Sequence, residues 1–110
     1  PRELNWKNMR ATAQELIGEH DFKSFMNSQG QVGSTVRHLY KCDVNKRGNN
    51  KLIISFTGKG FLYNQVRIMV GTLIEVGLGQ RKAGSIQKIV KSQDRQLAGP
   101  TVAPQGLTLH

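Results

Sequence analysis

Arg67 is the residue from which chemistry is most readily read. It lies in an apolar stretch, residues 61–76, with Tyr63 and Asn64 one turn before it and Gly71 one turn after. A guanidinium in such a setting needs a partner, because an unpaired buried charge is costly. Either an internal carboxylate meets it, or it emerges into a cleft where an anion sits. Gly71 at i+4 leaves space above the side chain, which suits the cleft, and close helix packing accounts for the same glycine equally well. Upstream, Gly58-Lys59-Gly60 resembles a phosphate-binding turn, since a helix N-terminus favours anions. The alternative is a strand-to-helix turn that uses glycine for its dihedrals; the spacing is not that of a Walker loop. Gly30 and Gly33 read as a turn. His20-Asp21 is a candidate acid–base pair, with a capping role for Asp21 as the other reading. Asp43 is expected in a strand, and Asp94 in a surface pair with Arg95. No serine or cysteine nucleophile stands beside a base at a recognisable spacing. The chain thus carries a basic, cleft-like feature without a complete catalytic set.

Metal chemistry finds little support. His20, His38 and His110 lie far apart, and Cys42 is the single cysteine, so no zinc-type ligand cluster is expected. A lone cysteine also excludes an internal disulfide framework and fits a reducing compartment.

The elements that must position these residues follow from periodicity. Asn5 is a good N-cap, and Trp6, Met9, Ala13, Leu16 and Ile17 recur at helical spacing, with Gly18 suited to close the helix. Residues 20–33 read as a long, partly packed loop. Residues 35–44 alternate, with Val36, His38, Tyr40, Cys42 and Val44 on one face of a strand. The polar run 46–50 reads as a turn, and residues 51–57 as the returning strand. Within 61–76, Leu62, Val66, Met69, Val70 and Leu73 form one helical stripe. Phe61, Ile68 and Ile74 lie outside it, so this helix is central and buried. Residues 83–92 suggest a second amphipathic helix with Ile86, Ile89 and Val90 inward, and 100–109 a loop leading into a final strand. The expected fold is α+β, an antiparallel β-sheet packed against two or three helices, in a single domain over 1–110.

Charge narrows the partner. Sixteen Lys and Arg stand against seven Asp and Glu, a net charge of +9, with a pI near 10.2. Between Asp43 and Glu75 there is no acid, while Lys46, Arg47, Lys51, Lys59 and Arg67 all fall there. A folded basic face of this kind attracts phosphate backbones. Membrane association is not expected: apolar runs fall far short of the roughly 20 residues a spanning helix needs. No basic amphipathic stretch carries a bulky aromatic face either. The opening residues show no charged-then-apolar leader, and a cytoplasmic location is expected. A first residue that is Pro1 reads as the start of an excised or processed piece.

Four blocks then combine, in order: Gly18-Glu19-His20-Asp21-Phe22-Lys23-Ser24-Phe25; Thr35-Val36-Arg37; residues 60–71, read Gly-Phe-Leu-Tyr-Asn-Gln-Val-Arg-Ile-Met-Val-Gly; and Asp94-Arg95 with Ala98-Gly99-Pro100-Thr101 and Ala103-Pro104-Gln105-Gly106-Leu107. Together they resemble the C-terminal half of the tRNA pseudouridine synthase A family, and the likeness covers nearly the whole chain. The resemblance implies isomerisation of uridine to pseudouridine in the anticodon stem-loop of tRNA, without a cofactor or metal. The base–ribose bond breaks, the uracil rotates, and the two rejoin through carbon. It implies a homodimeric enzyme whose nucleophilic aspartate, in an Arg-Thr-Asp context, belongs to an N-terminal half absent from this chain. Arg67 then corresponds to the basic residue that pairs with that aspartate, lowering its pKa. Lys59, Phe61, Tyr63, Asn64 and Gln65 are expected to line the cleft or its entrance, with His20, Asp21, Phe22 and Arg37 supporting it. The chain departs from the family pattern in lacking Arg-Thr-Asp and the base-stacking tyrosine's motif, and in having Asn64-Gln65 where many members have His-Met. The fragment alone is therefore expected to be inactive. The rival readings are a free-standing basic RNA-binding module and a domain that serves dimerisation only.

Overall fold

The computed structural model describes residues 4–26, 33–48, 51–62, 64–82 and 84–102. In chain order these form α1 (Trp6–Gln14), β1 (Gly18–Asp21), a 3-10 turn (Lys23–Phe25), β2 (Val36–Arg47) and β3 (Lys51–Gly58). Then come α2 (Gln65–Gly77), α3 (Ile86–Ser92) and a second 3-10 turn (Arg95–Leu97). The strands make one antiparallel sheet in the order β1-β2-β3. The fold is α+β, as the periodicity indicates.

Asn5 caps α1 as expected, its Oδ1 accepting the Asn8 N–H at 3.2 Å. The helix ends earlier than its apolar pattern suggests, at Gln14. Gly18, at φ +114°, does not close it. It turns the chain into β1, where it pairs with Leu39. This corrects the reading of 20–33 as a loop: its start is a strand and a 3-10 turn, with Phe22 and Phe25 fully buried. Residues 27–32 lie outside the described residues.

A second correction concerns the faces of β2. Strict alternation puts Val36, His38 and Tyr40 with Cys42 and Val44. The structure instead buries Leu39, Cys42 and Val44 and exposes Val36, His38 and Tyr40. The cause is an irregularity in the ladder: Leu39 pairs with Gly58 and Lys41 with Thr57, so Tyr40 is the extra residue of a bulge. One added residue shifts the period-2 phase, and the inward set changes parity across it. The run 46–50, expected as a turn, begins inside the strand. Lys46 and Arg47 pair with Leu52 and Lys51, and Asn49 and Asn50 lie outside the described residues. The final strand expected within 100–109 also lies almost wholly outside them.

The core joins α1 (Met9, Ala13) and Leu16 just beyond it, the sheet (Leu39, Cys42, Val44, Phe56), α2 (Ile68, Met69, Leu73) and α3 (Ile86, Ile89). α2 is central, as its nearly all-round apolar character requires: its buried positions cover most of the helix, leaving a strip at Arg67 and Ile74 half-buried. Gly77 lets α1 approach, since a Cβ there would lie 2.5 Å from Met9 Sδ, and Asn5 N–H donates to the Gly77 carbonyl at 2.9 Å. Among the described residues β1 pairs with 36–39 only, and no strand pairs with the following edge of β2. Arg10 covers part of that edge, donating from Nε to the Val44 carbonyl at 2.9 Å and from Nη2 to Asn45 Oδ1 at 2.7 Å.

Candidate functional site

The chain leaves β3 at Gly58 and turns through Lys59 and Gly60, whose φ of +77° is one a glycine adopts freely. Lys59 N–H donates to the His38 carbonyl at 3.1 Å, tying this turn to β2. The chain then closes a tight turn in which Gln65 N–H donates to the Leu62 carbonyl, and Leu62 N–H to Gln65 Oε1, both at 2.9 Å. The reciprocal bonds satisfy donors that a helix start would otherwise orphan. Asn64 enters α2 in the left-handed conformation, at φ 62° and ψ 13°, a backbone state that asparagine tolerates better than most residues.

Arg67 follows on the first turn of α2, half-buried. Its Nε donates to the Val102 carbonyl at 2.7 Å and its Nη1 to Asn64 Oδ1 at 3.0 Å. Among the described residues no carboxylate reaches it, so the internal ion pair that would account for its position is not formed there. Both partners are neutral acceptors that orient the guanidinium without cancelling its charge.

Residues 98–102 run along α2 as a strap. Gly99 N–H donates to Thr72 Oγ1 at 2.8 Å, while that hydroxyl donates to the Ile68 carbonyl at 2.9 Å. Val102 N–H donates to the Arg67 carbonyl at 3.3 Å. A Cβ on Gly71 would collide with the Pro100 carbonyl, and one on Gly99 would lie 2.7 Å from the Thr72 amide nitrogen. Of the two readings of Gly71, close packing is the one realised, against the strap rather than another helix. Arg95 steadies the strap, donating from Nη1 to the Gly99 carbonyl at 2.9 Å and from Nη2 to Thr101 Oγ1 at 3.1 Å. Asp94 caps the second 3-10 turn, accepting from Gln96 N–H at 2.9 Å.

The other residues singled out by sequence fall into distinct environments. Lys59 is exposed and Phe61 half-buried against the core. Arg37 is paired in the ladder with His20. It donates from Nη1 to the Ser34 and Val36 carbonyls at 2.8 and 2.7 Å, and its Nε lies 4.0 Å from where a Cβ of Gly60 would stand. His20, Arg37 and the Lys59-Gly60 turn therefore share one end of the sheet. His20 and Asp21 form no acid–base pair. His20 Nε2 meets the Ile17 carbonyl at 3.0 Å, whereas Asp21 accepts from Lys23 N–H at 3.1 Å and from the Thr35 hydroxyl, holding the 3-10 turn. Phe22 is fully buried and Gln65 almost so; their side chains build the core and the helix start and present no surface to a substrate. Tyr63 lies outside the described residues. Thr72, Asn64 as a partner of Arg67, and Val102 are what the sequence reading missed. The one available signal was the match of Gly71 to a second small-residue segment, Ala98-Gly99.

The remaining chemistry is sparse. Burial and the neighbouring Asp43 charge push the Cys42 thiol up to about 12, so it is no nucleophile near neutral pH. Among the described residues no three His, Cys, Asp or Glu side chains gather as metal ligands, and no helix is long and apolar enough to cross a membrane. Exposed cations are plentiful. At the end of the β2–β3 hairpin Arg47 pairs directly with Lys51, with Lys46 adjacent, and all three are exposed. Like charges opposite one another in a ladder are destabilising.

Comparison with known proteins places this α+β domain in a family. The family model described as tRNA pseudouridine synthase matches residues 12–110, and the chain belongs to that family. It is 45% identical over 106 residues to the tRNA pseudouridine synthase A of Exiguobacterium sp. (strain ATCC BAA-1283 / AT1b), covering 96% of this chain and 43% of that protein. It is 44% identical over 110 residues to the protein of the same name from Listeria monocytogenes serotype 4a (strain HCC23), covering 99% and 44%. The protein so named from Limosilactobacillus reuteri (strain DSM 20016) is 43% identical over 107 residues, covering 96% and 42%. The chain thus spans less than half the length of these relatives.

Proposed function

We propose that this chain is the C-terminal half of a tRNA pseudouridine synthase that isomerises uridine in the anticodon stem-loop of tRNA. In this reading Arg67 pairs with the nucleophilic aspartate of an N-terminal half and keeps it ionised at neutral pH. The observation that carries the reading is the state of Arg67: its guanidinium is held by two neutral acceptors, the Val102 carbonyl and Asn64 Oδ1, and meets no carboxylate among the described residues. A charge oriented but not neutralised is suited to an incoming anion. Lys59, Phe61, Arg37 and His20 flank the approach, and the exposed cations of the hairpin contact phosphates without reading sequence. A cytoplasmic homodimer that needs no cofactor completes the proposal.

The test is tritium release from a tRNA transcript labelled at uridine C5. The enzyme is a chimera in which residues 1–110 replace the matched stretch of the Listeria monocytogenes relative. Release is expected from the chimera, a fall of about 100-fold or more on Arg67→Ala, and none from 1–110 alone. Release from 1–110 alone would overturn the split-site reading. Tight tRNA binding by 1–110, with a chimera whose turnover is indifferent to Arg67→Ala, would support instead a basic RNA-binding module. That second reading draws on the net charge of +9.

A further inference from the structure

Resting on that reading of Arg67, we propose that residues 98–102 together with Asn64 are a positioning device that sets the guanidinium for its anionic partner. Three fixed points carry it. Gly99 N–H docks on the Thr72 hydroxyl inside the protein, at 2.8 Å. Pro100 crosses α2 at Gly71, where no side chain fits. Val102 then closes on Arg67 from both sides, its N–H on the Arg67 carbonyl and its carbonyl on Arg67 Nε. From the other flank Asn64 Oδ1 takes Nη1. An arginine tethered at Nε and Nη1 loses most of its rotamer freedom before a ligand arrives, and Nη2 is left without a partner among the described residues. A carboxylate approaching that edge meets a donor already aimed, so the ordering entropy is settled by folding. Asn64 suits its place because the left-handed backbone at φ 62° brings a short acceptor back over the first turn. Val102 acts through its backbone, Thr72 through the strap, and neither touches substrate; Arg67 alone does the pairing.

The device is separable from the catalytic reading because it has a signature in the 110-residue chain by itself. The Arg67 Nε–H resonance, identified by its loss in Arg67→Lys, is expected to be shifted from free arginine and to exchange slowly with water. In Thr72→Val, which keeps side-chain shape and removes the hydroxyl, that protection is expected to vanish, and in Thr72→Ser to return. In the chimera, Thr72→Val is expected to lower kcat about 10-fold with KM within twofold, and Thr72→Ser to restore it. Asn64→Gly, which keeps the left-handed backbone and deletes the acceptor, gives an independent reading on a half-exposed residue and is expected to lower kcat in the same way. An Nε–H signal indifferent to Thr72→Val would overturn the device. So would full kcat in both Thr72→Val and Asn64→Gly when Arg67→Ala is dead. Full activity in Arg67→Ala would instead overturn the underlying reading of Arg67.

Discussion

At the scale of single residues, the contrast between Arg67 and Cys42 shows how environment decides chemistry. Arg67 keeps a charge at the edge of the core because its donors find two neutral oxygens. Cys42 loses its chemistry because it faces the core one residue from Asp43, and the thiol is pushed up from 9.0 to about 12. The sign of the stability effect follows. The folded state holds the Cys42 proton up to about pH 12 while the unfolded state releases it near 9, so stability is unaffected below pH 9 and declines above it. Between pH 9 and 11 the chain is expected to lose about 1 kcal/mol per pH unit more than Cys42→Ala, measured by urea denaturation. Equal alkaline slopes would show that Cys42 is not held neutral. Arg67 was legible in sequence because a lone cation in an apolar helix is conspicuous. That Phe22 and Gln65 are buried was not legible, because an aromatic or an amide in a family block looks the same whether it faces a cleft or the core.

At the scale of elements, the glycines of α2 outweigh its helix propensity. Alanine in place of glycine in a helix interior ordinarily gains about 1 kcal/mol. At Gly71 the added methyl would press on the Pro100 carbonyl, a backbone atom that cannot swing aside. Gly71→Ala is therefore expected to destabilise the chain by about 1–3 kcal/mol in urea denaturation, as overpacking does. A gain in stability would mean that the strap is not seated on α2 as described. The helices were largely legible: α2 from its all-round apolar character, α3 from Ile86, Ile89 and Val90, which are all buried, and the α1 cap from Asn5. The faces of β2 were not, because the bulge at Tyr40 is set by pairing with β3 and leaves no mark in the alternation itself.

At the scale of the whole molecule, the +9 charge is arranged at a cost. Arg47 and Lys51 stand directly opposite each other at the hairpin end, with Lys46 beside them, a repulsion that a bound polyanion would relieve. If this end contacts tRNA, Lys51→Ala is expected to weaken binding by 1–110 and to reduce the slope of log affinity against log salt by about 0.7–0.9, one phosphate's worth. Removing the repulsion should leave the fold as stable or slightly more so. An unchanged salt slope would place the RNA-facing surface elsewhere, with the Lys59 turn the next surface to vary.

What the amino-acid sequence determined by itself is whatever depends on local pattern and on sums: the α+β class, the buried α2 with Arg67 on it, the capped α1, and the basic surface. These survive because periodicity, capping and net charge are properties of neighbours in the chain or of the chain's total. Only the tertiary structure decided what answers Arg67 and how. Val102, 35 residues away along the chain, supplies the carbonyl. Thr72 and Gly99, 27 apart, dock the strap that carries it. A hydrogen bond between residues so distant in sequence is created by packing two glycine-bearing segments together. No local preference of either segment encodes it.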